Sequence, residues 1–126
     1  MPSLNKCLFI GNLGAEPEMR FTPSGNPVTT FSIACNRSYT TEQGEKRDQM
    51  EWVSVVAWNK QAESCNQYLV KGSMVCVEGR LHTRSWDDTD GQKHYKTEII
   101  ATQVIFLDKK SGGGRQDEVE PDDEPF

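Results

Sequence analysis

At 126 residues, of which 35% are apolar and 26% charged, the chain is long enough for one compact core and too short for two ordinary domains. No apolar run approaches 18 residues, and Met1-Pro2-Ser3-Leu4-Asn5-Lys6 lacks the basic-then-apolar-then-small order of an export signal, so a cytoplasmic protein with no membrane contact is expected. The net charge of −5 lies wholly beyond residue 110: residues 1–110 carry 13 Lys or Arg against 13 Asp or Glu, while residues 111–126 set Arg115 against Asp117, Glu118, Glu120, Asp122, Asp123 and Glu124, so the neutral body can still take an acidic polymer as a ligand.

Leu4 to Leu13 reads as a first strand that bends at Gly11 and Gly14, followed by a short extended piece over Glu18 to Thr22. Pro23-Ser24-Gly25-Asn26-Pro27 is a turn, with φ fixed at the prolines and free at the glycine. The next strand, Val28 to Asn36, sets Phe31, Ile33 and Cys35 on one face and Thr30, Ser32 and Ala34 on the other. Arg37 to Gln49 is the least apolar stretch before the tail and is expected to be a long hairpin loop carrying Tyr39.

Met50 to Asn59 is the run where apolar content, β-propensity and two tryptophans coincide, and it reads as the central strand. Alternation gives Val53, Val55 and Ala57 one face and Trp52, Ser54, Val56 and Trp58 the other. The two indoles are roughly 20 Å apart along the strand, too far to pack on each other. This strand alone allows either a second apolar layer over them or an exposed platform.

Lys60 to Lys71 changes to helical period, with Ala62, Cys65, Leu69 and Tyr68 on one stripe, Asn59 as expected N-cap, Glu63 in the first turn, Lys71 in the last and Gly72 beyond. Met74 to Trp86 returns to period two, with Val75, Val77, Gly79 and Leu81 against Glu78, Arg80, His82, Arg84 and Trp86. An Asp-Gly turn in Asp87 to Gln92 closes a hairpin onto a last strand from about Lys93 to Leu107. The four cysteines form no Cys-x-x-Cys pair and read as reduced, buried thiols. Three strands, one helix and two strands exclude a doubly wound α/β fold and predict an all-β OB-fold, a five-stranded Greek-key barrel with one short helix between strands 3 and 4.

Catalysis has little to stand on: His82 and His94 are the only histidines, and no nucleophile-elbow, zinc-protease or phosphate-loop pattern occurs, so neither an enzyme nor a metal or cofactor is expected. Binding has more. Trp52, Trp58, Trp86 and Tyr39, bordered by Arg80 and Arg84, form a candidate stacking platform for single strands, whose bases expose the π-faces that a duplex hides. The cations add a salt-sensitive phosphate contribution. An RNA-binding or primosome-type OB-fold, or an assembly protein whose aromatics are subunit contacts, are the competing readings.

Asn5-Lys6, Gly11-Asn12-Leu13-Gly14, Pro17-Glu18, Glu51-Trp52, Tyr68-Leu69-Val70-Lys71-Gly72, Val77-Glu78-Gly79 and Arg84-Ser85-Trp86 resemble, in order and spacing, the bacterial single-stranded-DNA-binding protein family. The resemblance covers about residues 3–107 and resumes at Asp122-Asp123-Glu124-Pro125-Phe126. It implies a nucleoid-associated homotetramer that wraps single-stranded DNA in replication, recombination and repair, with base-stacking aromatics at Tyr39, Trp52, Trp58 and Trp86.

Residues 111–126 are expected to form a separate unit, since Ser111-Gly112-Gly113-Gly114 is a flexible linker and the residues after it are too acidic to pack. Phe126, an apolar ring bearing the terminal carboxylate after Asp122, Asp123, Glu124 and Pro125, suits a shallow apolar pocket rimmed by Lys or Arg. The resemblance implies that this tip recruits replication and repair enzymes, and its charge is expected to compete with DNA for the cationic groove.

Overall fold

The structure, a computed structural model, describes residues 2–108; the expected domain boundary at 110/111, the disordered tail and the tip Asp122 to Phe126 lie outside them. Six strands and one helix occur in the order β1 (Cys7–Leu13), β2 (Glu18–Phe21), β3 (Pro27–Thr40), β4 (Lys46–Trp58), α1 (Asn59–Tyr68), β5 (Met74–Asp87) and β6 (Lys93–Phe106). Neighbouring strands run β1-β5-β6-β4-β3, and a β1–β3 pairing closes the ring into a five-stranded barrel, with β2 attached outside to β3. This is the OB-fold that the strand order predicts.

The apolar alternation fills the barrel. Phe31 and Ile33 of β3, Val55 and Ala57 of β4, Val75 and Val77 of β5, and Ile99 and Ala101 of β6 meet inside, with Leu13 from β1 and with Cys65 and Leu69 from α1 and its C-terminus. The helix is tied to the barrel by the buried Thr29 hydroxyl, which donates to the Ala62 carbonyl at 2.7 Å. Burial of that kind contributes about 25 cal/mol per Å² of apolar surface, so the helix adds most through Ala62, Cys65 and Leu69.

Two close approaches set the barrel's girth. A side chain at Gly11 would bring its Cβ to 2.5 Å from the Ala34 carbonyl oxygen, so what sequence alone reads as a bend is the point where β1 presses on β3. Gly79 likewise lies against the Ile100 carbonyl. Beside it the register shifts: Glu78 faces Gln103 and Gly79 faces Ala101, leaving Thr102 as the extra residue of a β-bulge. The Thr102 hydroxyl donates to the Glu78 carbonyl at 3.0 Å, and the inward residues of β6 change from Ile99 and Ala101 to Val104.

Several sequence expectations are corrected. Arg37 to Gln49 is mostly paired, from Asn36–Met50 to Thr40–Lys46, leaving only residues 41–45 as the loop. Both faces of this arm are wet, so no apolar period marks it. Trp58, not Asn59, occupies the helix N-cap, without a side-chain cap bond, and Asn59 takes φ of 59°, a left-handed conformation Asn tolerates better than most residues. The first turn has no acidic residue and the last no basic one, so neither Glu63 nor Lys71 complements the helix dipole. Tyr68 is exposed, its ring 6.1 Å from that of Phe106 instead of in the core. Leu81 continues the inward face beside Ile99 but is exposed. The first strand begins at Cys7, yet Asn5 extends its pairing: the side-chain amide donates to the Leu81 carbonyl and accepts from the Leu81 N–H, each at 2.9 Å.

Three hairpin turns share one construction. In each, a glycine at positive φ donates to the carbonyl three residues back, from Gly25 to Thr22, Gly44 to Thr41 and Gly91 to Asp88. The side chains of Thr22, Thr41 and Asp88 then accept from the N–H four residues on.

Candidate nucleic-acid interface

The outward residues of β4, β6 and β5 point to the same side of the sheet where these strands meet. The parallel pairs Val55–Ile99 and Val56–Ile100 fix which residues of β4 and β6 point the same way, and the β5/β6 ladder pairs Arg80 with Ile100, His82 with Glu98, Arg84 with Lys96 and Trp86 with His94. Trp52, Ser54, Val56 and Trp58 therefore share a surface with Arg80, Arg84 and Trp86. Of the six binding residues expected from sequence, the fold gathers five there. Tyr39 is set apart: it pairs with Arg47 and alternates with Arg37 and Cys35, on the ribbon face opposite Trp52, and the Arg37 guanidinium lies 5.0 Å from its ring centroid.

Trp52 is the most exposed of the three indoles, at 59%, and its ring edge rests on Gly14, where a side chain would collide with it. It walls a groove of about 440 Å³ whose lining includes Thr30, Ser32, Ser54, Lys96 and Glu98. The hydroxyls of Ser32 and Ser54, a cross-strand pair, give this groove adaptable donors and acceptors. Trp58 is also exposed, at the far end of the same strand face beside α1.

Trp86 carries the densest set of contacts. The Arg84 guanidinium lies 4.8 Å from its ring centroid, a cation–π contact, and Arg84 Nε donates to the carboxylate of buried Glu98 at 3.2 Å. The His94 ring stacks on the indole with centroids 5.6 Å apart and planes 21° from parallel. His94 Nε2 in turn meets Asp88 Oδ2 at 2.8 Å. That bond, then the backbone N–H of Gln92, holds the Asp88 carboxyl below its ordinary pKa of 3.8.

Lys96, His94 and Glu98 did not stand out as site residues in the sequence, although a signal existed. Counting outward from the Asp90-Gly91 turn pairs Trp86 with His94 and Arg84 with Lys96. The burial of Glu98 had no such signal, since it comes from packing between ribbons.

Exposed indoles interleaved with cations on the open face of a small barrel define the class: an OB-fold protein of the nucleic-acid-binding kind. The chain belongs to the single-strand binding protein family, whose model matches residues 4–107. It is 47% identical over 116 residues to single-stranded DNA-binding protein 1 of Chlorobaculum tepidum, covering 90% of this chain and 72% of that protein. It is 42% identical over 113 residues to the single-stranded DNA-binding protein of Bacillus cereus, covering 90% of this chain and 65% of that one. Among solved structures, the Plasmodium falciparum SSB in complex with ssDNA superposes with a TM-score of 0.77 at 36% identity, covering 86% of this chain and 98% of that chain. No helix among the described residues is long and apolar enough to cross a membrane.

Proposed function

We propose that this chain binds single-stranded DNA with little regard to sequence, by stacking bases on Trp52, Trp58 and Trp86 while Arg80 and Arg84 engage phosphates. The observation that carries this reading is the exposure of Trp52 and Trp86 on one cation-bearing face: a single strand offers such a face both π-surfaces and phosphates at once. Tyr39 serves the same strand from the opposite face of the β3/β4 ribbon. Arg84 is held by Glu98 in the unbound protein, so a phosphate must compete with that carboxylate, which tempers affinity and eases release.

The chain acts in replication, recombination and repair as a homo-oligomer, a homotetramer by resemblance, in the cytoplasm and on the nucleoid. Support for assembly comes from the outer face of β1 and β5, where Leu8, Ile10 and Met74 remain exposed beside Ile105 of β6. An apolar sheet face of that kind is covered in most stable proteins. The tip from Asp122 to Phe126, outside the described residues, recruits replication and repair enzymes.

The test is a titration of intrinsic tryptophan fluorescence with oligo-dT and with a duplex of equal length. Strong quenching by the single strand alone is expected, with a logarithmic salt slope of about −0.7 for each phosphate neutralised. Absence of quenching in a folded protein would put the indoles at subunit contacts and overturn the reading.

A further inference from the structure

His94 and Asp88 take no part in the function described so far, yet they complete the surroundings of Trp86. The Asp88 carboxylate is fixed within its turn by the backbone N–H groups of Asp90 and Gln92, both donating to Oδ1 at 2.9 Å, which leaves Oδ2 for His94. An ionised carboxylate only accepts hydrogen bonds, so the hydrogen of a neutral His94 must sit on Nε2. That arrangement leaves Nδ1 as a bare lone pair, with no partner among the described residues. The ring itself lies nearly parallel to the Trp86 indole and stacks against it from the next strand.

We propose that His94 is a further strand-contacting residue of this face, and that Asp88 positions it so that Nδ1 repels a phosphate oxygen when the ring is neutral and donates to one when the ring is protonated. This inference rests on the single-strand reading above. Affinity for single-stranded DNA then rises as pH falls through the range in which imidazoles titrate, and the bound strand and the proton favour one another. The ionised Asp88 persists throughout that range, since its carboxyl is held below its ordinary pKa by the His94 bond and the turn amides.

The charged and titratable groups around His94 are few. From β5 and its turn come Arg84, Asp88, Asp90 and, further along the same face, His82; from β6 come Lys96 and Glu98. Of these only His82 is a second imidazole, and it faces Glu98 with no carboxylate bonded to its ring among the described residues. The two histidines are therefore separable by substitution.

The experiment measures binding of a short oligo-dT at about pH 8 and about pH 5.5, each at several salt concentrations, because thymine itself does not titrate in that interval. For the parent protein, affinity is expected to be about threefold to tenfold higher at the lower pH, with a salt slope steeper by about 0.7, the value of one more phosphate contact. His94→Gln, which keeps an amide donor toward Asp88, should lose the pH response. His94→Arg should bind at the tighter level at both pH values, and His82→Gln should respond as the parent does. A pH response that survives in His94→Gln, or that vanishes instead in His82→Gln, would overturn the inference while leaving the single-strand reading intact. No binding of oligo-dT at either pH would overturn the underlying reading itself.

Discussion

Gly14→Ala isolates the seat of Trp52. A methyl group at residue 14 would lie 2.7 Å from Trp52 Cη2 and nearer still to Cζ3. Ordinary carbon contacts lie at about 3.5–4.0 Å, so the indole must retreat by roughly 1 Å. Its backbone is outside the left-handed region, so alanine is sterically admissible there, and the loss of glycine's freedom in the unfolded chain stabilises by about 0.4–1 kcal/mol. The ring is 59% exposed and moves into solvent, forfeiting a handful of contacts at about 0.1–0.2 kcal/mol each. Stability should therefore change by less than about 1 kcal/mol, a shift in Tm smaller than about 8 °C for a domain of this size. Binding should change more. A stacked base contributes about 1–3 kcal/mol, and an indole displaced by a third of its contact distance loses roughly half of that, which weakens oligo-dT binding about threefold to tenfold. The assay pairs thermal denaturation with fluorescence titration on one preparation. Parent-like affinity with an alanine at residue 14 would show that the seat on Gly14 does not position Trp52 for the strand.

Two other predictions concern the barrel itself. Gly79→Ala drives its methyl into the Ile100 carbonyl and to 2.9 Å from Ile99 Cγ2; with backbone on one side and core on the other, several kcal/mol of stability should be lost, read as a lowered denaturant midpoint or insoluble protein, and a parent-like midpoint would refute the close approach. Cys65 is fully buried, and burial pushes its thiol up to about 11, so at about pH 8 only about one molecule in a thousand carries the thiolate. Brief iodoacetamide treatment of the native protein followed by peptide mass analysis should modify Cys7 first, Cys35 more slowly because burial raises its pKa, and Cys65 last; early modification of Cys65 would contradict its place in the core.

The residues legible in the sequence are those where one face is dry. Val53, Val55 and Ala57 against Trp52, Ser54 and Trp58 could be sorted by alternation alone, because burial imposes a period of two. The same logic fails for the arm from Arg37 to Gln49, since a ribbon with water on both sides is held by its ladder and by polar cross-strand contacts such as Ser38 with Asp48 at 2.6 Å. Tyr39 was readable as an aromatic near the site, but its face depends on a pairing register that a presumed loop does not have. Glu98 resembles any solvated strand carboxylate in the sequence, and only the packing of β4 against β6 reveals that it is covered. The helix N-terminus escaped for a local reason: Asn59 adopts a left-handed conformation instead of capping.

The joint between β4 and β6 consists of two paired positions, Val55–Ile99 and Val56–Ile100, whereas β3/β4 and β5/β6 are each zipped along nearly their full length. Mechanically the molecule is a stiff ring from which two fingers project, each rigid within itself and free of any shared ladder with the other. Bending at such a narrow joint would break few hydrogen bonds, so the gap between the fingers is expected to open and close without unfolding either. Amide protons of the ring should then exchange slowly and those at the fingertips quickly, and a flexible polymer can enter from the side, with no free end to thread.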